Sequence, residues 1–142
     1  MKKKIIVVAA HPDDEVLGCG GTIVKHVAKG DIVHSVFMSD GVNSRLDSSK
    51  VKLNRRLKAS KSAQSLLGIS STHYLNLPDN SMDSVPLLEI VQKLEPIINK
   101  IKPSVIYTHS YGDLNIDHQL THRAVMTACR PQPNFSVKEI YT

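Results

Sequence analysis

Apolar runs alternate along the chain with segments whose apolar residues recur at helical intervals. Ile5-Ile6-Val7-Val8-Ala9-Ala10 is unbroken, as expected of a strand buried on both faces, and predicts a strand over residues 4–10. Val16, Gly20, Ile23, Val24 and Val27 follow at helical spacing and predict a helix over 17–29, with Gly30 where a left-handed cap is expected. Residues 32–38 read as a second strand, and 42–49 as a polar, mobile loop. The next helix is expected over 47–67, with Leu53, Leu57, Ser60, Ala63 and Leu67 inward and Gly68 closing it. Its other face carries Lys50, Lys52, Arg55, Lys58 and Lys61. A strand over 72–77 leads to a helix over 85–101, striped by Leu87, Leu88, Val91, Leu94, Ile98 and Ile101. Pro96 predicts a kink there, because its ring removes a hydrogen bond and clashes one turn back. A strand over 104–108, a helix over 117–129 and a strand over 137–141 complete the pattern.

This alternation predicts an α/β fold with a parallel sheet and right-handed crossovers. Ligands in such sheets bind beyond the carboxyl ends of the strands. Those ends read His11-Pro12-Asp13-Asp14-Glu15, Asp40-Gly41, Asp79-Asn80 and His109, so four strands deliver polar residues to one rim. The pattern favours a site over a purely structural role.

Composition narrows the picture. The 142 residues, 41% hydrophobic, suit one domain over 1–142 with an aliphatic core, since Trp is absent and aromatics are 4%. The net charge of +5 is scattered apart from the cluster between Lys50 and Lys61, which has no interleaved aromatic. That argues against nucleic-acid binding and for a solvated helix face. Cys19 and Cys129 have neither disulfide-scaffold nor CxxC spacing, which suits reduced thiols in a cytoplasmic protein. The lysine-rich start precedes an apolar run too short for a signal peptide, and no segment is long enough to span a bilayer, so membrane insertion is not expected.

One histidine and three carboxylates crowd the turn after the first strand, and charge of that density at a core edge calls for neutralisation by a divalent cation. His11 and Asp14, two residues apart in a tight turn, can face one point, and the second polar cluster, His109 to His118, offers a third ligand, His118 first. Asp13, beside Asp14 but pointing differently, suits a carboxylate that takes a proton from metal-acidified water. Blander readings compete: His11 and Asp14 could cap the first helix, and Asp117-His118 could be a cap and a surface histidine. His118 and His122 sit four apart, but the glutamate of an HExxH site is missing. Gly18, Gly20 and Gly21 lack the third glycine of a dinucleotide fingerprint, and the carboxylates beside them would repel a pyrophosphate. Spacing does not choose zinc over iron(II).

Ala10-His11-Pro12-Asp13-Asp14-Glu15, then Leu17-Gly18-Cys19-Gly20-Gly21-Thr22-Ile23 and the later Asp117-His118, resemble the PIG-L/LmbE-type family of metal-dependent de-N-acetylases acting on N-acetylglucosamine-like sugars. The resemblance implies a Rossmann-like three-layer sandwich, zinc held by His11, Asp14 and His118, and Asp13 as general base. It further implies that Arg56 helps hold the substrate and that Asp79 contacts sugar hydroxyls. Asp117 is expected to orient a neighbouring histidine. Two positions depart from the family pattern: Asn115 stands where many members have a histidine, and Ala59 where a glutamate is common. Either His109 then protonates the leaving amine, or Asp13 serves as both base and acid. The chain is also shorter than its relatives, so the C-terminal part of the family domain is expected to be missing, or its wall supplied by another subunit in a homo-oligomer. The implied reaction is removal of acetate from an N-acetylated amino sugar or conjugate. Its rivals are an amidase cutting another amino-sugar conjugate and a metal- or sugar-binding fragment without activity.

Overall fold

The uninterrupted apolar run becomes the central strand. A computed structural model describes residues 2–44 and 49–142. The first half of the chain runs β1 (Lys4–Ala9), α1 (Asp14–Ala28), β2 (Ile32–Ser39), α2 (Lys50–Leu67) and β3 (Ser71–Leu77). A 3₁₀ turn (Met82–Ser84) leads into α3 (Leu87–Ile101), β4 (Val105–Tyr107), α4 (Ile116–Ala128) and β5 (Glu139–Tyr141). The strands form one parallel sheet in the order β3-β2-β1-β4-β5. The expected α/β fold with a parallel sheet is therefore present.

Side chains of β1 alternate between two cores. Ile5 and Val7 pack with Ile23 and Val27 of α1 and Leu67 of α2. Ile6 and Val8 pack with Ile90, Leu94 and Ile98 of α3 and with Ala124 and Val125 of α4. The result is three layers, α1 and α2, the sheet, then α3 and α4. Each fully buried Ile or Val contributes about 1.5–3 kcal/mol by transfer from water. Burial of β1 on both faces therefore anchors the turn that follows it. Sheet order reverses between β1 and β4, which opens a crevice beyond their carboxyl ends.

Several boundaries differ from the expected ones. Helix α1 begins at Asp14 rather than 17, so Asp14 and Glu15 lie in its first turn, where the positive end of the helix dipole favours carboxylates. Its regular geometry is interrupted at Cys19, with φ −143° and ψ 19°. No comparable break occurs at Pro96: α3 continues through it, and the residue one turn back, Gln92, is solvent-exposed, so its carbonyl can bond to water instead. The expected start of the second helix at Asp47 lies outside the described residues, as does part of the expected loop before it. From Ser49, whose hydroxyl accepts the Lys52 N–H, α2 runs to Gly68. Gly68 has φ +73°, and a Cβ there would stand 2.8 Å from Val27 Cγ1, so the cap requires glycine. Asn115 caps α4, its side-chain oxygen accepting the N–H groups of Asp117 and His118. Among the described residues, no helix is long and apolar enough to cross a membrane.

Candidate metal centre

His11 leaves the end of β1 into a turn in which its carbonyl accepts the N–H groups of Asp13 and Asp14. The His11 N–H in turn donates to Asp14 Oδ2 at 2.8 Å. The turn is packed against Gly41 at the end of β2, whose φ is +69° and where a Cβ would stand 3.2 Å from both His11 Cβ and Arg56 Nη2. Glycine suits both the left-handed backbone and that close approach.

Three donor atoms converge above this turn. His11 Nδ1 lies 3.3 Å from Asp14 Oδ2, His118 Nε2 lies 3.3 Å from the same oxygen, and the two nitrogens are 3.4 Å apart. Ligands held at zinc distances of about 2.0–2.1 Å in a tetrahedron stand about 3.3–3.4 Å from one another. The triangle therefore fits a small tetrahedral cation.

Outer carboxylates set the tautomer of each histidine. His118 Nδ1 meets Asp113 Oδ2 at 2.8 Å, so that nitrogen carries the proton and Nε2 turns its lone pair inward. His11 Nε2 meets Asp117 Oδ2 at 3.1 Å and Asp79 Oδ1 at 3.3 Å, leaving Nδ1 for the triangle. Burial by itself would lower the His11 pKa, but the hydrogen bonds and charges of Asp117 and Asp14 outweigh it and raise the group to about 10. The pocket thus favours positive charge. Burial likewise opposes ionisation of Asp14 and Asp117, yet His11 holds both below the usual carboxylate range, with the backbone N–H groups of Met82 and Asn80 assisting Asp117.

Two other groupings suit a cation less well. His109, Asp113 and His118 are close, but the two rings stack at 3.9 Å with planes 22° apart, so their in-plane lone pairs do not converge. In the group His11, Asp79 and Asp117, the carboxylates are already occupied. Asp117 accepts from Asn80 N and Met82 N, and Asp79 from Ser44 N and Ser39 Oγ.

Asp13 occupies the N-cap position of α1 but makes no capping hydrogen bond. Its side chain is 40% exposed, and its Oδ2 meets Arg56 Nη1 of α2 at 3.0 Å. Arg56, expected to hold substrate, thus meets Asp13. Asp79, expected to contact sugar hydroxyls, has a side chain only 1% exposed and lies behind His11 rather than at the rim. Asp117 orients His11, whereas His118 is oriented by Asp113, a role that sequence reasoning did not assign. Asp113 lies five residues before His118, in a loop without periodicity, so only its membership of the polar cluster hinted at it.

His109 Nε2 accepts the Ala10 N–H at 2.8 Å, and burial, together with the charge of His118, lowers its pKa to about 4. It is a neutral ring stacked on His118. Beneath the acidic turn, Glu15 Oε1 accepts from Gln64 Nε2 at 2.6 Å, while Gln64 Oε1 accepts from Ser35 Oγ at 2.7 Å. Burial raises Glu15 to about 6. This network ties the turn to α2 and β2, and nothing in the helical pattern of α2 marked Gln64 for it.

Comparison with known proteins gives this geometry a context. The sequence model of the PIG-L family, described as GlcNAc-PI de-N-acetylase, matches residues 6–129. The uncharacterized deacetylase YaiS of Escherichia coli (strain K12) is 34% identical over 137 residues, covering 93% of this chain and 71% of YaiS. The conserved protein TT1542 from Thermus thermophilus superposes with a TM-score of 0.82 at 27% identity, over 97% of this chain and 64% of that one. The N,N'-diacetylchitobiose deacetylase from Pyrococcus horikoshii, solved with its inhibitor MPG, gives a TM-score of 0.81 at 29% identity, over 94% of this chain and 52% of that one. The chain spans between half and about seven tenths of these proteins' lengths. With the motif, the sheet order and this coverage in agreement, the chain belongs to the PIG-L family.

Proposed function

We propose that this chain carries the catalytic centre of a zinc-dependent hydrolase that removes acetate from an N-acetylglucosamine-like amino sugar or its conjugate. The observation that carries this reading is the triangle of His11 Nδ1, Asp14 Oδ2 and His118 Nε2, with sides of 3.3, 3.3 and 3.4 Å, beside a carboxylate outside the triangle, Asp13. His11, Asp14 and His118 would hold the ion; zinc is the ion of this reading, and iron(II) accepts the same donors. When bound, it supplies a Lewis acid that polarises the acetyl carbonyl and acidifies water. A diacetylchitobiose deacetylase among the structural relatives supports the sugar class.

The chain's own residues do the proton work. Asp13, whose side chain is 40% exposed, takes a proton from the attacking water as oxygen adds to the acetyl carbon. Arg56 holds one oxygen of that carboxylate, which aims the other. Asp13 then returns the proton to the nitrogen as the C–N bond breaks, leaving a free amine and acetate. His109 suits the acid role poorly, because it is neutral and its Nε2 is tied to the Ala10 N–H. Asn115, where many members of the family carry a histidine, caps α4 instead.

Asp13→Asn tests the reading. Purified variant should bind one equivalent of zinc while acetate release from N-acetylglucosamine falls by about 10²–10⁴-fold. Near-normal acetate release would remove Asp13 from the role.

A further inference from the structure

Above the two buried carboxylates that hold His11 runs a strip of three polar side chains. Ser44 donates its backbone N–H to Asp79, Asn80 donates its backbone N–H to Asp117, and Asn115 Oδ1 accepts the Asp117 N–H. Each member of the strip is thus bonded to a carboxylate residue beneath it, and both carboxylates touch His11. The strip is also linked along its length: Asn115 Nδ2 donates to Asn80 Oδ1 at 3.1 Å, and Asn80 Nδ2 donates to Ser44 Oγ at 3.2 Å. Asn80 has φ +49°, a conformation that asparagine tolerates better than most residues, and its side chain is exposed.

A primary carboxamide has two donors and two acceptor lone pairs. Asn115 Oδ1 is filled by the N–H groups of Asp117 and His118, and one of its two Nδ2 hydrogens is taken by Asn80. Among the described residues, Asn80 retains one N–H and one lone pair of Oδ1. The two carboxamides therefore present two N–H donors and one acceptor side by side, at neutral charge, with Asn115 bonded to the His118 N–H and Asn80 to Asp117 beneath His11. Adjacent hydroxyls on a sugar ring need this alternation of donor and acceptor, whereas an anionic group would meet the lone pair and the carboxylates behind it.

We infer that Asn80, with Asn115 beside it, is the specificity-determining contact to the ring hydroxyls of the amino sugar, in the place expected of Asp79. The assignment rests on the de-N-acetylation reading for the position of the acetamido group. Asn80→Gly tests it, because glycine keeps the left-handed backbone and the N–H bond to Asp117 while removing the carboxamide. Steady-state acetate release is measured on N-acetylglucosamine and on N-acetylethanolamine, an acetamide without a ring. The preference for the sugar, as the ratio of kcat/KM values, should fall about tenfold, mainly through KM, with bound zinc unchanged. An unchanged ratio, or equal losses on both substrates, overturns the assignment while leaving the reaction in place. If the wild-type chain releases no acetate from either, the proposed reaction fails, and calorimetry with glucosamine decides Asn80 separately. Weaker binding by the variant then supports the contact, and equal or absent binding overturns it.

Discussion

Arg56 and Asp13 meet at 3.0 Å across the gap between α2 and the first turn of α1. The pair joins the proposed proton carrier to a helix that contributes no ligand to the triangle. A guanidinium binds carboxylate oxygens in a fixed plane, so Arg56 limits the directions Asp13 can take.

Arg56→Ala should therefore lower kcat for acetate release by about ten- to a hundredfold while zinc stoichiometry stays at one. Arg56→Lys should recover only part of the loss, since an ammonium lacks the planar fork. Loss of zinc along with activity would mean that Arg56 supports the ligand turn instead.

Asp113 fixes the proton on His118 Nδ1 and so the lone pair on Nε2. Replacing such an outer carboxylate costs about 10–100-fold in metal affinity. Asp113→Asn should show that loss in competition with a zinc chelator. Affinity within twofold of wild type would show that His118 needs no such partner.

Gln64 is the side-chain hydrogen-bond donor to buried Glu15, whose Oε2 has no partner among the described residues. Gln64→Leu would remove the side-chain donor to a buried carboxyl and should destabilise the fold by about 1–3 kcal/mol. Urea denaturation of the two proteins measures it. Glu15→Gln in the same background should recover part of the loss, because the uncharged group is cheaper to bury.

His34 and His73 flank Ser71, at 2.8 and 3.3 Å from its hydroxyl. Burial lowers both pKa values, helped by the charges of His73 and Lys4 on His34 and of Lys100 on His73. The folded chain therefore releases protons that the unfolded chain keeps. Their contribution to stability is full above the unfolded value near 6.5 and is lost as pH falls below it. Wild type should thus lose more stability between pH 7.5 and 5.5 than His34→Gln/His73→Gln. Parallel pH profiles for the two proteins would contradict this.

The strands and helices were legible because their signals are local. Ile5 to Ala10 is apolar without interruption, and a run of that kind satisfies itself only as a strand covered on both faces. The sheet order then brings His11 and His118 together, although 107 residues separate them. Position along the chain already offered His11, Asp14, Asp13 and His118 as candidates, because strand ends and helix starts in a parallel sheet share one rim.

What only the tertiary structure decided is which face of each polar residue is used. Asp79 and Asn80 are neighbours in sequence, yet one lies beneath His11 and the other at the rim, because the left-handed backbone at Asn80 turns the chain between them. Asp113 and Asp117 divide the two histidines according to how the loop before α4 folds back, which no periodicity encodes. Gln64 looks like any polar helix residue until α2 packs on α1 and places it against Glu15. The acidic turn itself was written in the chain. The partners that orient its charges come from distant segments, and only packing brings them within hydrogen-bonding distance.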